Sequence, residues 1–192
     1  MQVNEVVSAN KSAIPKVFGI LHLVFGGIGV LYGLYAIVSA IFSDQLQEFS
    51  FATYPDESKD AMMEAMQPLY DTQVWDLASS CFSMVLAVLL ILAGFKLVKY
   101  NRKGLKISNL YSALSVLHKL AAIVIVLVIK APAMKQVGES LDEIGGADTA
   151  GFGAMFGPIV IITTIVMSVL MLTYPLLCYF LLNKKQSKES LS

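Results

Sequence analysis

The sequence predicts an all-α integral membrane protein, a four-helix transmembrane bundle with both termini in the cytoplasm. Three observations carry that prediction. The chain is 56% apolar and only 15% charged, with a mean hydropathy of +0.69, outside the range of a water-soluble domain. Four runs, Val17–Phe42, Leu77–Phe95, Ile107–Ile129 and Pro158–Leu182, each approach the ~20 residues of helix that a hydrocarbon core requires. None of them alternates in the manner of a barrel strand, so helices are the spanning structure left. Four spans use up the 192 residues as one transmembrane domain, with outer loops at 43–76 and 130–157.

The third observation is charge segregation beneath a net charge of zero. Lys11 and Lys16 precede the first span, and Lys96, Lys99, Arg102, Lys103 and Lys106 fill the short turn between spans two and three. Lys184, Lys185 and Lys188 follow the fourth span. The first outer loop instead holds Asp44, Glu48, Asp56, Glu57, Asp60, Glu64 and Asp71 against the single base Lys59. Bases mark the cytoplasmic side, and an even number of spans puts both termini there, most simply across a plasma (cell inner) membrane. A competing reading takes Lys11 and Lys16, the apolar stretch and Val38-Ser39-Ala40 as a cleavable secretory signal. The stretch from Val17 to Ile37 is too long for that, and cleavage would leave an odd number of spans.

In span one, Gly26, Gly29, Gly33, Ala36 and Ala40 recur at steps of three and four and form one seam of small residues. Such a seam lets a second helix approach closely, either inside the bundle or across a dimer, and Gly29 with Gly33 makes a GxxxG pair. His22 falls on the same seam and is expected to be buried, neutral and bonded to a serine or carbonyl. Span two carries Ser80, Ser83, Ala87 and Gly94 on a similar face. Asp76 follows the interfacial ring of Trp75 at the outer end of that span, as a solvated or helix N-terminal charge.

Span three holds the most informative pair, His118 and Lys119, near the middle of an otherwise apolar run. Ser108, Ser112, Ser115, Lys119 and Ala122 form a stripe at steps of four, three, four and three, so Lys119 continues a row of hydroxyls aimed at the bundle interior. His118 is rotated about 100° from it, towards Tyr111 and Ala122. A charge at this depth is retained where something pairs with it or solvates it. Lys119 lies roughly 16–20 Å from either end of the run, too far for its side chain to reach bulk water. Antiparallel alignment sets it level with about Met84, with Asp76 about 12 Å higher, so a direct Asp76–Lys119 pair is not expected. The partner is then a carboxylate of another subunit, a lipid phosphate, a transported anion, or hydroxyls and water.

In span four, Pro175 frees the carbonyl of Met171 and is expected to kink the helix, with Thr173, Tyr174 and Tyr179 nearby. The outer loops contain two short amphipathic patterns, Pro55–Tyr70 and Pro132–Ile144, expected to lie over the outer mouth of the bundle. A Gly-rich connector, Gly145–Gly153, joins the second pattern to span four. It lacks the base and the strand–helix setting of a phosphate loop.

Cys81 and Cys178 both lie within spans, so no disulfide staples the outside. That separates the chain from four-span families whose outer loops depend on paired cysteines. The candidate intramembrane polar site is therefore Lys119, His118, Ser115, Ser112, His22 and Asp76, and the helix-packing seam is Gly26, Gly29 and Gly33. No catalytic residue, cofactor or metal is expected. The two histidines sit on different spans with no acid to join them, and the outer methionines have no His or Cys beside them. The expected function is a non-enzymatic accessory or assembly subunit, with membrane lipids and a protein partner or a second copy around it. The alternative is a small transporter or channel component whose polar path is lined by Lys119 and the serines of span three. Against it stand the small size and the lack of an internal repeat. Nucleic acid is excluded, since the basic turn offers Tyr100 alone as a stacking ring; its simpler role is orientation and contact with anionic headgroups.

Overall fold

Pro15 stands in the first turn of helix α1 (Ile14–Ile41), where its missing N–H has no intrahelical partner to lose. In the computed structural model, which describes residues 11–52, 56–145 and 152–191, α1 is followed by α2 (Ser43–Phe51), α3 (Asp56–Tyr70), α4 (Gln73–Val98) and α5 (Arg102–Ile125). A π-helical turn, Val126–Lys130, then leads into α6 (Ala131–Gly145), and α7 (Phe152–Leu182) and α8 (Lys185–Glu189) complete the order. No strand occurs among the described residues. Among the described residues, four helices are long and apolar enough to cross a membrane: α1, α4, the continuous helix Arg102–Ile144, and α7 from Gly157. Large apolar side chains such as Leu31, Ile162 and Phe180 point outwards from these helices, the reverse of a water-soluble bundle.

The long helices pack as neighbours in the order α1, α4, α5, α7, each antiparallel to the next. Gly19 faces Val98, Gly26 faces Ile91, and Gly33 faces Met84, so α1 and α4 run in opposite directions. His118 of α5 meets Ser83 of α4, while Asn109 and Asn183 exchange side-chain amide bonds between α5 and the end of α7. Both described ends of the chain thus meet at one end of the bundle, with the α4–α5 turn. There Phe18, Leu97, Leu105, Cys178, Leu182 and Leu191 form a core, with Tyr100 against it. We call this the terminal end, and the opposite one the loop end.

The α4–α5 turn shows how locally the sequence fixes this end. Asn101 N–H donates to the Lys96 carbonyl and Tyr100 N–H to the Leu97 carbonyl, each at 2.9 Å. This is a Schellman closure with Tyr100, at φ 54°, in the left-handed place usually taken by glycine. Asn101 then caps α5 by accepting from Lys103 N–H at 2.9 Å. Gly104 follows because a Cβ there would stand 2.8 Å from the Leu97 nitrogen.

The loop end departs from the sequence expectation. The second amphipathic pattern does not turn over the mouth of the bundle. It prolongs α5 as α6, so that one helix runs unbroken for 43 residues. Pro132 has no N–H to give, and the π turn just before it shifts the ladder: Ala131 N–H reaches five residues back to Val126. The extra residue absorbs the proline instead of ending the helix. α3 packs on α6, and α6 on the start of α7, burying Ala65, Ala133 and Val137. α2 was not expected; it continues almost directly from α1, with Phe42 N–H bonded to the Val38 carbonyl at 3.1 Å. The expected Gly-rich connector lies largely outside the described residues.

Candidate functional site

His22 is fully buried at the terminal half of the bundle. Its Nδ1 lies 2.7 Å from the Tyr174 hydroxyl and its Nε2 lies 2.8 Å from Ser108 Oγ, so one imidazole ties α1 to both α5 and α7. With one ring nitrogen a donor and the other an acceptor, each hydroxyl can orient to suit. The rings of Phe18, Tyr111 and Tyr174 surround it at centroid distances of 6.4, 6.1 and 5.8 Å. Phe25 stacks edge-on against Tyr174 at 4.7 Å. These contacts bring α1 and α7 together near Tyr174.

Beyond that contact the two helices part, and a groove of ≈ 490 Å³ lies between them. Leu86, Leu90 and Tyr111 form much of its floor, and Phe25, Ile28, Tyr32 and Met171 line it while remaining exposed. The groove is therefore open sideways, on the outer face of the bundle. Its more apolar end is at Phe25, Leu90 and Tyr174. Towards the loop end it becomes polar, with Ser83, His118 and Lys119 in its wall.

His118 and Lys119 leave α5 in different directions. His118 turns towards α4, with Nε2 3.1 Å from Ser83 Oγ and 3.4 Å from Ser79 Oγ, and its ring lies 5.0 Å from that of Phe82. Lys119 turns towards α7, where its Nζ donates to the Met171 sulfur at 3.7 Å. A thioether is a weak acceptor, and among the described residues no carboxylate pairs with Lys119. Ser115 is buried beside it, also in the groove wall. Ser112, at 3% exposure, has a hydroxyl with no hydrogen-bond partner among the described residues.

Asp76 stands apart from this site. It forms an ion pair with Lys130 of the π turn, joining α4 to the third long helix at the loop end. Gly26, Gly29 and Gly33 seat α1 on α4, and of the three only Gly29 also lines the groove. A Cβ on Gly26 would come within 2.6 Å of Ile91 and 2.9 Å of the Ala87 carbonyl. One on Gly29 would come within 2.9 Å of the Ala87 Cβ. The structure thus gathers Lys119, His118 and Ser115 around one groove and places His22 below it. Six partners were left out of the sequence-derived site: Ser79, Ser83, Ser108, Lys130, Met171 and Tyr174. Lys130 was legible as the base that ends span three opposite Asp76. Of the others, four carry only hydroxyls and Met171 a thioether, groups that single no residue out.

Among the described residues, no group of three or more His, Cys, Asp or Glu is placed to hold a metal ion. The chain matches no family model, no curated protein and no solved structure.

Proposed function

We propose that this protein is a non-enzymatic accessory or assembly subunit of a membrane complex, and that it engages its partner inside the bilayer through the groove between α1 and α7. The observation that carries this reading is Lys119, an amine set into a sideways-opening groove whose hydrogen-bond partner among the described residues is only a thioether. A polar group kept at such depth serves contact or passage, since it gains nothing from lipid tails. Both termini are placed in the cytoplasm, in a plasma (cell inner) membrane, because the bases gather at the terminal end and the acids at the loop end. A photo-crosslinking side chain placed at Ile28, on the groove rim, tests the reading in native membranes. A discrete protein adduct is expected, and its disappearance when Met171→Trp fills the groove. Adducts with lipid alone would retire the reading.

A second reading is favoured by one observation, the Ser112 hydroxyl, which has no hydrogen-bond partner among the described residues. It lies between Ser115 and Ser108 on the way from Lys119 to His22, where a water would complete a polar path. On that reading Lys119→Met abolishes ion or solute flux in reconstituted vesicles without altering partner capture.

A further inference from the structure

We infer that the occupant of the groove is a transmembrane helix of another protein carrying a carboxylate, Asp or Glu, near its middle. The inference rests on the accessory reading above and names the chemistry of the partner. Three observations select it. The first is charge complementarity: Lys119 brings a basic amine to the groove, and among the described residues no acid lines it. A carboxylate brought in by the partner would supply the strong, charge-assisted bond that Met171 cannot.

The second is depth. The Asp76–Lys130 pair marks the level at which charged groups stand at the loop end. Lys119 lies about 16 Å below Lys130 by helical rise, and about 20 Å from Lys106 at the terminal end. A lipid phosphate would have to leave its interface by most of the thickness of one leaflet to reach it. A side chain on a spanning helix is already at that depth.

The third is shape. Along α1 the groove runs from Phe25 to Tyr32, about 10 Å or two helical turns. That is shorter than an acyl chain crossing one leaflet, but it suits side chains at i, i+4 and i+7 of a crossing helix. The acid would stand at the polar loop-end part, with apolar neighbours one and two turns below it against Leu90, Tyr111 and Tyr174.

The test uses the full chain in phosphatidylcholine vesicles and synthetic leucine–alanine spanning helices bearing one central Glu, Gln or Lys. Association is read by energy transfer between a dye on the protein's C-terminus and one on the peptide. The Glu peptide is expected to bind at least tenfold more tightly than the Gln peptide, and Lys119→Met to erase that preference. Lys119→Arg should keep it, and Lys119→Glu should transfer it to the Lys peptide. The insertion and melting temperature of each variant show that the bundle is intact. Equal binding of the Glu and Gln peptides overturns the inference, as does a preference that survives Lys119→Met. Lys119-dependent retention of spin-labelled stearate in place of the peptide assigns the groove to a lipid acid and equally overturns it. A protein adduct from Ile28 combined with no peptide preference would remove the carboxylate and leave the accessory reading standing.

Discussion

His22 and Lys119 are both ionisable side chains within apolar spans, yet the fold treats them oppositely. His22 is enclosed, and its two nitrogens reach hydroxyls on two other helices. Every polar atom of the ring has a partner inside the protein, so the residue acts as a clasp. Lys119 sits on the edge of an open groove, and among the described residues its hydrogen-bond partner is a thioether. In a bilayer, a polar group with its needs met inside the bundle holds helices together, and one left short is a site for something else. Asp76 and Lys130 illustrate the first condition at the loop end, where opposite charges on adjoining helices meet.

The comparison can be broken most directly at the clasp. His22→Leu strands the Ser108 and Tyr174 hydroxyls in an apolar interior and should cost about 1–3 kcal/mol. The readout is a lowered melting temperature in mild detergent, and Tyr174→Phe should reproduce a smaller part of the loss. A His22→Leu protein that melts at the wild-type temperature would remove the clasp from the account.

The helix contact that carries His22 gives the next largest effect. Gly94→Ala would press a methyl to within 2.7 Å of the Gly19 carbonyl, backbone against backbone. A loss of about 1–3 kcal/mol is expected, because neither backbone can give way cheaply. Gly27→Ala meets nothing within 4 Å and should stay within about 0.5 kcal/mol of wild type. Thermal unfolding of the two side by side separates close packing from a general intolerance of larger residues.

The smallest effect on stability is expected at Lys119 itself. Lys119→Met removes an amine with no carboxylate partner among the described residues, so the melting temperature should hold or rise. Partner capture should fall all the same. A marked drop in melting temperature would make Lys119 a second clasp, and the contrast with His22 would disappear.

By itself the sequence determined the four spans, their helical character and the crowding of bases at one end. These follow from length, apolar content and the cost of an unpaired backbone in lipid, all of which are local properties. It also determined that α1 has a close-packing face, because glycines at steps of three and four share a side of any helix. Only the tertiary structure decided that this face meets α4, that His22 finds Tyr174 across 152 residues of chain, and that Asp76 pairs with Lys130. A side chain's partner depends on which helices adjoin and how far each slides along its axis, and neither is written in the period of one segment. Pro132 is the sharpest case. Read alone, it ends a helix; in the fold, a π turn ahead of it takes up the missing hydrogen bond and carries the third span on as α6. The open groove is likewise a tertiary product, since it exists only because α1 and α7 touch near Tyr174 and then separate.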